Sequence, residues 1–205
     1  SRNIVVGCKE GVRVSKDAGK TFEIVSSAKE IEDLELHPTN PDIMYAASNN
    51  GEFHRSTDGG TTWTKNANIP SGVNMKVGVS KNNPDLLYVI IAVDEANENS
   101  FGGVFRSLDA GITFEKRSGN GMEPCITCYS KGTLSRGQPN YNLFITPDPK
   151  KPDIVYAGGV QSWRSKDGGK TWEFFYDNTS ENGSLHLDQL NWHFSPHNDV
   201  LYACN

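Results

Sequence analysis

His186 and Asp188 are one residue apart and alternate with Leu185 and Leu187, so in an extended segment both polar side chains point the same way. An imidazole beside a carboxylate suits metal ligation or proton transfer, and it suits equally well the pinning of a long loop by hydrogen bonds. A metal wants more ligands than this pair offers, and no metal or other cofactor is expected. Acids gather in two further places: Asp94, Glu95 and Glu98 in one polar run, and Asp177 at the head of the run that ends in Asp188. Two carboxylates roughly 6.5–9.5 Å apart across a cleft are the equipment of an inverting glycosidase. Scattered along loops, the same residues are solvated surface acids. With Arg136, a cation in the longest non-repeating run, the candidate ligand-binding set is Asp94, Glu95, Arg136, Asp177, His186 and Asp188.

The elements that hold these residues are announced by an eight-residue phrase that occurs four times. It reads Ser56-Thr57-Asp58-Gly59-Gly60-Thr61-Thr62-Trp63, with further copies beginning at Ser15, Ser107 and Ser165. Every copy keeps Ser, an Asp two later (Asp17, Asp58, Asp109, Asp167), Gly two after that, Thr after two more and an aromatic last. Ser and Asp side chains accept hydrogen bonds from nearby backbone N–H groups, and Gly supplies positive φ, so the phrase builds a self-capped turn. These four aspartates are therefore expected to be structural. Short extended runs precede each copy, and the closing aromatic seeks burial. The unit is a strand–turn–strand hairpin.

A second phrase lies between the boxes: an apolar strand, a Pro/Asn/Asp turn, and a strand ending in Tyr and small residues. It runs through Leu34–Ala47, Val77–Val89, Leu143–Gly158 and Trp192–Cys204. Joined to the hairpin it gives four antiparallel strands per repeat, the periodicity of a β-propeller blade. The expected fold is all-β: one propeller segment over 1–205, with a partial blade at 1–28, blades at about 31–66, 73–117 and 141–176, and a partial blade at 190–205. Both ends supply a second strand, which suits a cut from a ring of six or more blades better than a closed ring of four.

Successive box aspartates are 41, 51 and 58 residues apart. The extra residues are assigned to inserts between strands two and three of one blade (94–100) and between strand four and the next strand one (116–140 and 177–189). In an antiparallel blade those connections leave on one face, while the boxes and the one–two turns occupy the other. Long loops on a rigid scaffold carry recognition, so the insert face is the expected functional face.

The phrase S-x-D-x-G-x-T-W/F resembles the Asp-box, or bacterial neuraminidase repeat, of β-propellers such as sialidases, xyloglucanase-type endoglucanases, sortilin-type receptors and a photosystem assembly factor. The segment leading to His186 and Asp188 resembles that of secreted, sortilin-like bacterial propellers, which implies export to the periplasm, cell surface or medium. Sialidases hold the sugar carboxylate with three arginines. Here Arg13, Arg55, Arg106 and Arg164 are tied to the boxes, leaving only Arg2, Arg117 and Arg136 free, which disfavours that activity. The resemblance implies a protein- or glycan-binding module, with a xyloglucanase-like hydrolase as the alternative and the remaining blades of the same chain as further partners.

Composition sets the outer bounds. A net charge of −5 with scattered Lys and Arg gives no basic stripe, so nucleic acid is not an expected partner. No apolar run approaches the roughly 20 residues of a membrane span. Cys125 and Cys128 can close a local disulfide in an oxidising compartment. Cys8 and Cys204, with small neighbours, are expected as buried thiols. Trp163 and Tyr141 are expected to pack between blades, sugar stacking being their other possible use.

Overall fold

The computed structural model describes residues 3–26, 28–93, 101–119, 125–128, 137, 139, 141–176, 188–195, 197, 198 and 200–204. Every regular element among them is a strand. The first sheet holds β1 (Ile4–Cys8), β2 (Gly11–Ser15) and β3 (Glu23–Ile24). Three four-stranded sheets follow. They are β4 (Ile31–Leu36), β5 (Met44–Ser48), β6 (Phe53–Ser56) and β7 (Thr64–Lys65); β8 (Asn74–Val79), β9 (Leu87–Ala92), β10 (Phe101–Ser107) and β11 (Glu115–Gly119); and β12 (Phe144–Pro147), β13 (Val155–Gly158), β14 (Ser162–Ser165) and β15 (Glu173–Tyr176). A last pair, β16 (Asn191–Phe194) and β17 (Leu201–Cys204), completes the chain. Each strand pairs antiparallel with its sequence neighbour. The expected all-β propeller architecture is what forms.

The apolar core is divided among the gaps between consecutive sheets. β9 shows how the sequence does this. All six of its residues are buried, because alternate side chains serve different neighbours. Leu87, Val89 and Ile91 pack with Tyr45, Phe53 and Met75, whereas Tyr88, Ile90 and Ala92 pack with Ile145, Val155 and Trp163. Two smaller clusters fill the gap between the first and second sheets and that between the fourth and last.

The boxes close on themselves as the residue types require. In the first, the Ser15 hydroxyl donates to Asp17 Oδ1 (2.8 Å) and accepts from Gly19 N–H (2.8 Å). Asp17 Oδ1 also accepts from Thr21 N–H (2.9 Å), and Oδ2 accepts from the Thr21 hydroxyl (2.6 Å). The Thr21 hydroxyl and N–H, aided by Ser15, hold the Asp17 carboxyl down to about 2. The same bonds recur at Asp58, Asp109 and Asp167. Positions four and five of each box have positive φ, as in Gly168 (70°) and Gly169 (86°). Ala18 and Ala110 occupy the first of these positions at φ 60° and 55°, conformations that an L side chain adopts at a cost of about 1 kcal/mol. Ser165 is fully buried, with Oγ as the acceptor for Gly169 N–H (2.8 Å). Ser165→Ala strands that amide, and a loss of about 1–2 kcal/mol in denaturant unfolding is expected.

The second, third and fourth boxes are also tied to the sheet before them. The Arg55 Nε donates to the Ala110 carbonyl (2.7 Å), and Gly111 sits so close to the Tyr45 and Phe53 rings that a Cβ would lie 3.1 Å from one of them. Arg117, expected to be free, is locked in the same way. Its Nε donates to Gly168 O (2.8 Å), its Nη2 donates to Asp167 O (2.9 Å), and it is 8% exposed. Trp172 is buried and Phe114 partly buried against the preceding sheet, but Phe22, on the outward side of the first sheet, is 40% exposed.

Candidate functional site

The turn chemistry fixes which connections share a face. Gly59, Ala110 and Gly168 of the boxes donate backbone N–H groups to Asp42, Asp85 and Asp153 in the one–two turns, so boxes and one–two turns lie together. On the opposite face, Gln189 N–H donates to Gly159 O (2.8 Å), and Asn49 N–H to Glu30 O (2.8 Å). These bonds join two–three turns to four–one connections. The described flanks of the longest connections, Val93 and Phe101, Gly119 and Tyr141, and Tyr176 and Asp188, all lie on that second face.

Several side chains at the roots of these segments are well fixed. Cys125 and Cys128 are joined in a disulfide with Cα atoms 5.5 Å apart, and both are buried with Ile126 between the third and fourth sheets. Cys128 bridges to Gly137, and the Asn74 amide donates to Pro139 O (2.9 Å), so the longest excursion is clamped at both ends. Asp188 lies at the entry to β16, where its Oδ1 accepts from the Asn142 amide (2.7 Å). Its φ of 71° breaks the extended alternation expected through it. Asp188 N–H donates to Val160 O, and Trp192 Nε1 donates to Gln189 (2.8 Å), so this strand entry is pinned to the fourth sheet. The other five candidates, Asp94, Glu95, Arg136, Asp177 and His186, lie outside the described residues.

Three expectations are corrected on this scaffold. Tyr141 is not packed between blades; it stands 75% exposed just before β12, on the insert face, whereas Trp163 is buried edge-on against Phe174 at 5.1 Å. Cys204 is an exposed free thiol on β17, which among the described residues pairs with β16 alone. Cys8 is only partly buried, its Sγ donating to Gly11 O (3.1 Å).

A second constellation was not anticipated. The first strands β4, β8, β12 and β16 stand side by side along the inner edge and enclose a cavity of about 250 Å3. Asp33, Glu35, Lys76, Lys81 and His193 reach it. Asp33 Oδ2 accepts from Val77 N–H (2.7 Å), a bond from one sheet to the next. Lys81 Nζ donates to Phe194 O (2.8 Å) across the cavity. Burial pushes the Asp33 carboxyl up, against the pull of Lys76 and the Val77 and Leu34 amides. Burial, with the Asp33 charge adding, raises Glu35 to about 8 despite Lys81. Burial and Lys81 lower His193. The signal in the sequence was the alternation Asp33-Leu34-Glu35-Leu36, which puts two acids on one side of a strand whose other side is apolar. Among the described residues no three His, Cys, Asp or Glu side chains are grouped as a metal site.

Comparison with known proteins places this architecture. The Sortilin, neurotensin receptor 3 family model matches residues 10–131, and the BNR/Asp-box repeat model matches residues 163–174. The chain is 33% identical over 152 residues to Xyloglucanase Xgh74A of Acetivibrio thermocellus, a stretch covering 69% of this chain and 16% of that enzyme. Among solved structures, an ancestral GH74 enzyme superposes with a TM-score of 0.66 at 17% identity, over 98% of this chain and 25% of the other. An auxiliary nutrient binding protein from Bacteroides thetaiotaomicron gives 0.59 at 12% identity, over 97% and 51%. The chain thus spans a minor part of the xyloglucanase and of the GH74 enzyme. Because the sortilin model covers more than half of the chain and its Asp-boxes form the turns described above, the chain belongs to the Sortilin, neurotensin receptor 3 (Sortilin-Vps10) family of β-propellers.

Proposed function

We propose that this chain is part of an exported propeller that binds a protein or glycan ligand on the face bearing the long connections. Asp94, Glu95, Arg136, Asp177, His186 and Asp188 are the proposed contact residues. The observation that carries this reading is the segregation of connections: the three longest leave from one face, and the self-satisfied boxes take up the other. The fully buried Cys125–Cys128 clip supports export, since such bonds persist in oxidising compartments. Tyr141 offers an apolar ring with a polar tip at the root of the longest excursion, a suitable platform for a sugar ring or a peptide side chain.

The test uses a panel of soluble β-glucan oligosaccharides, with binding read by titration calorimetry. Tyr141→Ala is expected to weaken the best binder about tenfold, the equivalent of about 1.4 kcal/mol, with an unchanged melting temperature because the ring is solvated. Unchanged affinity would remove Tyr141 from the site. Equal binding by His186→Ala, Asp188→Ala and Arg136→Ala variants would remove the face as a whole.

A second reading, a glycoside hydrolase, is favoured by the 33% identity to a xyloglucanase. It looks for the acid and base among Asp94, Glu95, Glu98, Asp177 and Asp188, the acids of the insert segments. Release of oligosaccharides from the same glucans, abolished by neutralising one of these carboxylates, would establish it; intact polysaccharide after incubation with the active-length protein would exclude it.

A further inference from the structure

Register aligns the inner strands of four sheets. Glu35, Gly78, Thr146 and His193 each lie opposite the second-strand tyrosine of their sheet: Tyr45, Tyr88, Tyr156 and Tyr202. At this level the second sheet therefore brings a carboxyl to the inner seam, while the third and fourth bring a hydrogen and a hydroxyl-bearing side chain. Gly78 lets the β12 backbone come close, because a Cβ there would lie 2.6 Å from Ile145 O. Asp33 is two residues before Glu35 on the same side of β4, which sets the two carboxyls about 7 Å apart along the strand.

Asp33 is not a bystander in this seam. β8 is the innermost strand of its sheet, so the outward N–H of Val77 has no strand partner on that side, and Asp33 supplies the acceptor. The bond is one of the polar links between the second and third sheets at the inner edge. The charged groups that face it are few. Glu32 lies on β4 itself. Lys76 lies on β8, with Nζ 3.4 Å from Glu32 O, and Lys81 follows that strand with its Nζ committed to Phe194 O. From β16 comes His193, and the β12 residues lining the cavity carry no titratable group. Among the described residues no hydrogen-bond or ion-pair donor engages the Glu35 carboxyl.

We infer that the inner seam between β4 and β8 is a proton-controlled latch, closed while the Asp33–Glu35 pair retains a proton and loosened when both carboxyls ionise. The physical cause is the cost of ionising a Glu35 carboxyl buried at this seam beside Asp33, where the neighbouring lysines already serve backbone carbonyls. Burial is the main cause of the upward displacement of both carboxyls, and the Asp33 charge adds to it at Glu35.

The sign follows from the direction of the displacement. A carboxyl whose folded value lies above its unfolded value favours the folded state most at low pH. That contribution is fully present below about 4.5 and is lost as pH rises toward about 8. His54 and His193, both lowered by burial, act oppositely on the acid side, so the informative quantity is the difference between variant and parent.

Thermal melts of the 205-residue chain and of Glu35→Gln, recorded from pH 5 to pH 9, test the latch. Glu35→Gln is expected to match the parent at pH 5 and to melt about 5–10 °C higher at pH 9. Parallel curves, or a variant that gains its advantage at pH 5, would overturn the inference. A carbon-13 NMR titration of glutamate carboxyls in the unaltered chain keeps the question decidable if the variant does not fold. One Glu carboxyl should titrate near pH 8, and its assignment shifts upward in Lys81→Met. Titration of every glutamate in the ordinary range near pH 4–5 would falsify the latch.

Discussion

Trp172→Ala should unfold the chain at markedly lower denaturant, with a loss of about 3–5 kcal/mol. The indole closes the fourth box but is spent on the third sheet. It is 9% exposed, belongs to the cluster that includes Tyr88, Val104 and Ile145, and donates Nε1–H to the buried Ser118 hydroxyl at 3.0 Å. Truncation removes ring contacts from both sheets, opens a void between them and leaves Ser118 without that donor. Trp172→Phe separates the two effects, since it keeps most of the volume and loses only the hydrogen bond; a cost of about 1–2 kcal/mol is expected. Equal losses for the two variants would mean that the indole N–H, not the packing, dominates the gap. Urea unfolding followed by circular dichroism measures both.

Arg117→Ala carries the second large effect, about 3 kcal/mol. The guanidinium donates to two carbonyls of the next sheet's box and to Glu115 Oε1 at 2.9 Å, with only 4% of the side chain exposed. Hydrogen bonds from a charged donor contribute more than neutral ones, and here their loss leaves the Gly168 and Asp167 carbonyls facing an apolar gap. Arg117→Lys should recover little, because a single ammonium cannot serve both carbonyls and the carboxylate in the fork geometry that Arg provides. Full rescue by Lys would show that charge alone, not the planar fork, holds the box.

How these two residues read in the sequence is instructive. Trp172 ends a repeated phrase, so its burial was expected from local pattern. Arg117 follows the third box by three residues and has no counterpart in the phrase; its partners lie 50 and 51 residues away, across a gap between sheets. Turn chemistry and strand alternation are local, which is why the four boxes, the strands and the division of the two faces could be drawn from residue types alone. Contacts between sheets are not. Glu35, Lys81 and His193 come to line one cavity only after four sheets have been stacked, and nothing in Leu34-Glu35-Leu36 says which strand stands opposite. Exposure failed for the same reason at Cys204, where strand character was right but a covering neighbour was assumed, whereas Tyr141 lies in the turn before β12 and not in a strand. Asp188 was legible as a polar residue at a strand entry, and its turn to positive φ was not, since neither Leu187 nor Gln189 marks a reversal.

The partition of β9, with odd residues facing one neighbour and even residues the other, has a mechanical corollary. Among the described residues the apolar clusters lie between consecutive sheets, so cohesion passes from one layer to the next like couplings in a train. Opening should then pass from layer to layer, and amide exchange would be slowest in β9, which is buried against a sheet on either side.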